Sequence, residues 1–306
     1  MTIDAPLLLR AAAAAAGGQQ YPAAALYVVA TPIGNLADLG LRAIHVLALV
    51  DALACEDTRV SAGLLRHLGI DQAKPLLAVH GHNEREAAAA VLARLARGER
   101  VAYVSDAGTP AVSDPGAALV AAAQAAGYRV VPIAGPSSAL AALSVAGDAS
   151  AGGFAFVGFL SSRAGERAEQ VRHIAGTAPT QIVFEAPHRI AALLQALSAA
   201  CPARRVSVCR ELTKQFETVV TLAASELPTW LAADANRSRG EFVLVLHALE
   251  AAPNDGEADG ATERLLAILM RELSLKQAVA LAAELSGAPR NALYRRALEL
   301  REAGRS

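Results

Sequence analysis

The chain has 306 residues, 54% hydrophobic and 19% charged, with a net charge of −1. That length calls for two domains rather than one, and the apolar fraction excludes a disordered chain. The near-zero charge argues against a protein held to nucleic acid by bulk electrostatics. No run approaches the roughly 18 uninterrupted apolar residues of a membrane span, so no membrane partner is expected.

Residues 1–25 lack a basic n-region, carry Asp4 early, and have Arg10 splitting their apolar part. They read as a disordered or weakly helical tail, not a targeting segment. The three cysteines, Cys55, Cys201 and Cys209, make neither a disulfide framework nor a metal motif, so no metal is expected and the cytoplasm is the simplest compartment. An apolar run at 26–30 predicts a buried parallel strand, ended by Pro32 and Gly34. Short strands at 53–55, 76–79, 101–104 and 129–133 then alternate with helices at 41–49, 61–67, 84–97, 117–126 and 139–145. This alternation predicts an α/β domain over 26–148 with a parallel sheet.

A small-residue hinge at 148–153 leads into a second α/β domain, 149–250. Its strands are expected at 154–159, 181–184, 205–209, 216–221 and 240–247, enough consecutive strands to suggest a mixed sheet. A polar linker, 251–262, precedes a helical extension, 263–306. Two of its helices are broken by Ser286-Gly287-Ala288-Pro289, as in a helix-turn-helix. From Glu263 onward there are eight Lys or Arg against five Glu, a local charge of +3.

The most informative stretch is 105–116, SDAGTPAVSDPG, a turn-rich connection from a strand to a helix. Ligands of open parallel sheets bind where such loops lie, at the carboxyl ends of strands. Asp106 and Thr109 suit a small polar ligand. Asp114 stands before Pro115 and a helix, and reads as an N-cap. Ser137 and Ser138 fall in the first turn of a later helix, a place that favours a carboxylate. No Walker loop, GxGxxG, GxSxG elbow or zinc signature is present.

The polar strings at the strand ends occur in the order TPIGN (31–35), EDTR (56–59), HGHNE (80–84), SDAGTPAVSDPG, AGPSS (134–138), FEAPHR (184–189), RELTK (210–214) and GEF (240–242). In that order they resemble the tetrapyrrole (corrin/porphyrin) methylase superfamily, and more narrowly the ribosomal RNA small subunit methyltransferase I family. The resemblance runs from residue 26 to about 303. It implies two α/β domains with S-adenosylmethionine (SAM) in the cleft between them, a homodimer and a small helical extension. It further implies 2′-O-methylation of a cytidine ribose in 16S rRNA of the small ribosomal subunit.

Carried over string by string, the cofactor contacts fall at Pro32, Ile33, Asp106, Thr109, Ser137, Ser138, Phe184, Glu241 and Val243. Arg59 and Arg189 become RNA contacts, and Arg295 and Arg296 of the last helix fit a local RNA patch. The chemistry needs a ribose hydroxyl aligned and deprotonated. Glu211 is the candidate base, with His82 as its rival. Lys214 would contact phosphate or polarise the hydroxyl, and Arg210 suits a phosphate. Two other functions fit the same strings: a tetrapyrrole C-methyltransferase, and a non-catalytic SAM-binding ribosome-assembly factor.

Overall fold

The computed structural model describes residues 4–70, 73–80, 83–249 and 260–303. Chain contacts divide it into two compact units, Met1–Leu249 and Glu250–Ser306. The first unit contains two five-stranded sheets. The earlier sheet uses β1 (Ala25–Val29), β2 (Ala52–Cys55), β3 (Leu76–Ala78), β4 (Arg100–Val104) and β5 (Arg129–Ile133). Their order is β3-β2-β4-β1-β5, and every pairing is parallel. Apart from Arg100 at the start of β4, the central strands β4 and β1 carry apolar and aromatic residues, because helices cover both faces.

The crossovers contain α2 (Leu41–Leu49), α3 (Thr58–His67), α4 (Glu84–Ala96) and α5 (Ala117–Ala125), and α6 (Ser138–Ala146) follows β5. The later sheet contains β6 (Phe154–Phe159), β7 (Thr180–Glu185), β8 (Arg205–Arg210), β9 (Thr218–Ala223) and β10 (Phe242–Leu246), with α7 (Ala164–Gly176), α8 (Ile190–Ala200) and the short α9 (Leu227–Ala232) between them. Its order is β6-β7-β10-β8-β9. Only β6 and β7 are parallel, so the sheet is mixed.

The amino-terminal segment is not a disordered tail. Residues Ala5–Ala16 form α1, capped by Asp4, whose carboxylate accepts the Leu7 N–H at 3.0 Å. Alanine has the highest helix propensity, and Leu8, Leu9, Ala12 and Ala16 make an apolar stripe. That stripe packs into the core beside Ile44 and Leu47 of α2. Tyr21 ties the helix down: its hydroxyl donates to the Ala16 carbonyl at 3.1 Å and its ring lies 5.0 Å from that of His45. Composition alone conceals this helix because most of its residues are alanine and Arg10 is its one charged residue.

A buried polar network joins Asp148, at the hinge, to the later sheet. Asp148 accepts from Thr180 Oγ1 at 2.6 Å and from the Ala248 N–H at 2.7 Å. His247 Nε2 meets Ser207 Oγ at 2.8 Å, and the Arg204 guanidinium donates to the carbonyls of His247 and Ile174, each at 2.7 Å. Burial pushes the His247 imidazole below its ordinary value, in spite of the nearby Asp148 carboxylate.

The second unit is a three-helix body of α10 (Gly260–Glu272), α11 (Leu275–Ser286) and α12 (Arg290–Ala303) around Leu266, Val279, Ala282, Leu293 and Ala297. A capping box of Ser274 and Gln277 starts α11.

Removing residues 1–18 strips the α1 stripe from the core and is expected to lower Tm by several degrees, read by thermal unfolding; an unchanged Tm would restore the tail. His247 gives a second test. The unfolded chain takes up a proton near the ordinary imidazole value of about 6.5, while the folded protein resists it. Stability is therefore complete above that pH and falls as the pH drops below it. Tm should decline between pH 7.5 and 5.5, and the decline should be shallower in His247→Gln.

Candidate active site

Parallel strands in the earlier sheet send their carboxyl ends to one edge, where three loops are tied together. Thr31 and Gly108 exchange backbone hydrogen bonds at 2.9 and 3.0 Å. The Thr109 hydroxyl donates to the Pro136 carbonyl at 2.9 Å, fixing the 105–116 loop against the approach to α6. Ser137 is the N-cap of α6. Asp114 does not cap α5, whose N-cap is Gly116. The Gly116 backbone has a φ of 120°, and a Cβ there would overlap the Tyr103 ring. Asp114 instead lines a cavity, and burial pushes its carboxyl up, with Asp106 adding to the effect.

That cavity is about 330 Å³ and draws on both halves of the unit. Thr109, Ser137 and Ser138 come from the earlier half. Phe159, Phe184, Glu241 and Val243 come from the later one. Phe159 remains 56% exposed, and its ring stands 5.6 Å from Phe184, edge to face. A smaller cavity of about 80 Å³ shares Ser138, Glu241 and Val243 with it and adds Ile33. Seven of the nine expected cofactor contacts thus surround two neighbouring spaces. The other two, Pro32 and Asp106, line a separate cavity with His67. Asp106 also accepts the Asp57 N–H at 3.0 Å.

The loop after β8 brings Glu211 and Lys214 together. Lys214 Nζ donates to Glu211 at 3.0 Å and to Glu241 at 2.8 Å. The Glu211 carboxylate also accepts the Glu241 N–H at 2.9 Å, and the Glu211 N–H donates to the Glu241 carbonyl at 3.0 Å. Glu211 and Thr213 both have positive φ, 51° and 66°, an uncommon cost for residues with a Cβ. Two glycines make room. A Cβ at Gly34 would overlap the Lys214 stem, and one at Gly240, with φ 89°, would overlap the Glu211 carboxyl group. Burial works to raise the Glu211 carboxyl, but the Glu241 N–H and the Lys214 ammonium outweigh it and hold it below the usual range. Burial likewise opposes the Lys214 charge, and the two carboxylates outweigh it and raise its pKa. Both groups are ionised at neutral pH.

Of the remaining candidates, Arg210, Arg189 and Arg296 are engaged by other groups of the protein. Arg210 is buried beneath this loop, donating to the carbonyls of Arg239 at 3.1 Å and Phe216 at 3.0 Å. It positions the loop and is not presented to a ligand. Arg189 is committed as well: it pairs with the buried Glu185 at 3.1 Å and donates to the Leu160 carbonyl at 2.6 Å. Arg296 bridges Glu263 and Glu299. Arg59, 89% exposed, pairs with Asp57, and Arg295 is exposed on α12. His82 lies outside the described residues.

Sequence reasoning missed Phe159, Gly34 and Gly240, and misassigned Asp114. The FAFVGF run did carry a signal for Phe159, since it places an aromatic at the carboxyl end of a strand, where ligands of such folds bind.

A family model described as Tetrapyrrole (Corrin/Porphyrin) Methylases matches residues 25–228, and one described as RsmI C-terminal HTH domain matches 256–301. The ribosomal RNA small subunit methyltransferase I of Xylella fastidiosa is 47% identical over 270 residues, covering 88% of this chain and 97% of that protein. The same-named protein of Pseudomonas aeruginosa is 46% identical over 279 residues, covering 90% and 98%. The chain belongs to the ribosomal RNA small subunit methyltransferase I family, within the tetrapyrrole methylases. Among solved structures, members of the wider methylase fold resemble it at low identity. Uroporphyrin-III C-methyltransferase from Thermus thermophilus, complexed with S-adenyl homocysteine, is 19% identical with a TM-score of 0.51, over 72% of this chain and 96% of that one. Cobalt precorrin-4 methyltransferase is 17% identical with a TM-score of 0.51, over 72% and 94%. The likeness establishes that this member of the ribosomal RNA methyltransferase family has the tetrapyrrole methylase fold.

The glycine contacts are directly testable. Gly34→Ala should push Lys214 off its two carboxylates and lower its pKa. Peptide-mapped acylation at pH 8 should then label Lys214 several-fold faster than in the wild type. Equal labelling would show that the stem adapts without losing its partners.

Proposed function

We propose that the protein transfers a methyl group from SAM to the 2′-hydroxyl of a cytidine ribose in 16S rRNA of the small ribosomal subunit. The observation that carries this is the pairing of a two-sided cavity with the Lys214–Glu211–Glu241 cluster beside it. The two share Glu241. The cavity's chemistry fits SAM. The Phe159 and Phe184 rings suit an adenine, Ser137 at the α6 N-terminus suits a carboxylate, and Glu241 and Asp114 suit hydroxyl and ammonium groups. SAM supplies a methyl group already activated by its sulfonium.

The protein therefore needs to orient the ribose and accept one proton. Glu211 takes that proton from the 2′-hydroxyl as its oxygen gains the methyl group. Lys214 fixes the carboxylate's position, and its charge attracts the adjoining phosphate. The glycine-lined approach leaves little freedom for either side chain. This reading includes a cytoplasmic homodimer, as the family resemblance implies; light scattering at micromolar concentration would give twice the chain mass. Neither of the other two functions has a specific observation in its favour, and relatives spanning nearly the whole chain are named as rRNA methyltransferases.

Tritiated SAM offered with small subunits lacking the modification should label 16S rRNA, with the label on a cytidine 2′-oxygen after nuclease digestion. Glu211→Gln should lower kcat by about 10²-fold or more. Lys214→Ala should also lower it, while both variants bind SAM with wild-type affinity by calorimetry. Wild-type rates in both would remove the catalytic assignment, and labelling of a tetrapyrrole in place of rRNA would remove the function.

A further inference from the structure

The helical unit contains a groove of about 670 Å³ between α11 and α12. Three cations line it: Lys276 from α11, and Arg290 and Arg301 from the two ends of α12. Among the described residues, no carboxylate lines it and no ion pair engages these cations. Tyr294 and Leu298 form its floor on the α12 side, with Tyr294 48% exposed. The spacing explains the arrangement. Positions 290, 294, 298 and 301 recur every three or four residues and lie along one face of α12. Arg296 is turned to Glu263 of α10 and so lies on a different side of the helix from the groove.

We propose that this groove binds single-stranded RNA, its three cations holding successive phosphates and Tyr294 stacking against a base. The pattern of charges decides the occupant. A chain of net charge −1 concentrates unpaired cations around an exposed aromatic ring and keeps carboxylates away, which complements a polyanion bearing flat apolar faces. An acidic peptide would use the cations but leave Tyr294 without a role. A purely apolar partner would leave the cations buried against it. The groove deepens the function proposed above and rests on it for the identity of the RNA, but RNA binding can be measured without methyl transfer.

The test compares two double variants of equal charge in the full-length protein. Arg290→Gln/Arg301→Gln removes groove cations, whereas Arg264→Gln/Arg271→Gln removes exposed cations of α10 outside it. The probe is a fluorescein-labelled 20-nucleotide single-stranded fragment of 16S rRNA, read by polarisation across a salt series. The groove variant should bind at least tenfold more weakly at 0.1 M salt, with a slope of log affinity on log salt shallower by about 1.4, as two lost phosphate contacts require. The control should stay within twofold. Tyr294→Ala should weaken binding about fivefold or more, with Tyr294→Phe unaffected. In the methylation assay the groove variant should raise KM for small subunits and keep kcat within threefold.

Equal behaviour of the two double variants would overturn the groove while leaving the proposed reaction intact. Loss of RNA binding only in the groove variant, in a protein that fails to methylate rRNA, would keep the groove and overturn the reaction. Stronger competition by poly-glutamate or duplex DNA than by single-stranded RNA would overturn the choice of partner. Far-ultraviolet circular dichroism confirms that each variant retains its helices.

Discussion

Parallel strands cannot be joined by tight turns, so each must be followed by a crossover. The crossovers gather every strand's carboxyl end on one edge of the earlier sheet. Three of those ends become the 31–35, 105–116 and 134–138 loops, and the Thr31–Gly108 bridge and the Thr109–Pro136 hydrogen bond lock them together. The later sheet then needs only to present Phe184, Val243 and the loop after β8 to that edge. The candidate site is thus held on one side by sheet topology and on the other by the Lys214 ammonium, the paired Glu211 and Glu241 backbones and the buried Arg210. Lys214 holds Glu211 to Glu241, and together with the Glu241 N–H it keeps the Glu211 carboxyl below its usual range.

The order of strands and helices was legible because the apolar runs are short, regularly spaced and separated by Gly, Pro and Asp. The cavity was legible in part. Residues singled out in or beside the strings, such as Ser137, Phe184 and Val243, line one cavity. Asp114 was misread because an Asp before Pro and a helix has a sound local role as a cap, yet Gly116 takes that place at a φ few other residues adopt. Arginines were the least legible. Arg189 and Arg210 stand beside acidic and turn residues that suggested a phosphate, and only three dimensions reveal the carbonyls and the buried Glu185 that occupy them. Long side chains choose partners across the fold, so sequence neighbours say little about them.

Charge is unevenly distributed within the second unit, where Glu250, Asp255, Glu257 and Asp259 precede a basic helical segment. Residues 263–306 hold +3, leaving −4 for the remainder. An overall charge near zero therefore conceals a basic module, and within that module the carboxylates of Glu263 and Glu299 neutralise one arginine. Among the described residues, the cations left without an ion pair include a stripe of α12 with its neighbour on α11, beside the scattered Arg264 and Arg271 of α10 and Arg295 of α12. Local charge, counted by face, carries information that the whole-chain sum removes.

The strand order of the later sheet has a consequence for biosynthesis. Strand β10 is the middle strand, fully buried and paired to β7 on one side and β8 on the other, although it is the last of the five in the chain. A nascent chain that has emerged only as far as β9 holds two separate strand pairs, each with an unsatisfied inner edge. The sheet closes when residues 242–246 leave the ribosome and fill the gap between them. Glu241 and Val243 arrive in the same event, so a translation product truncated before β10 lacks both of these cavity-lining residues.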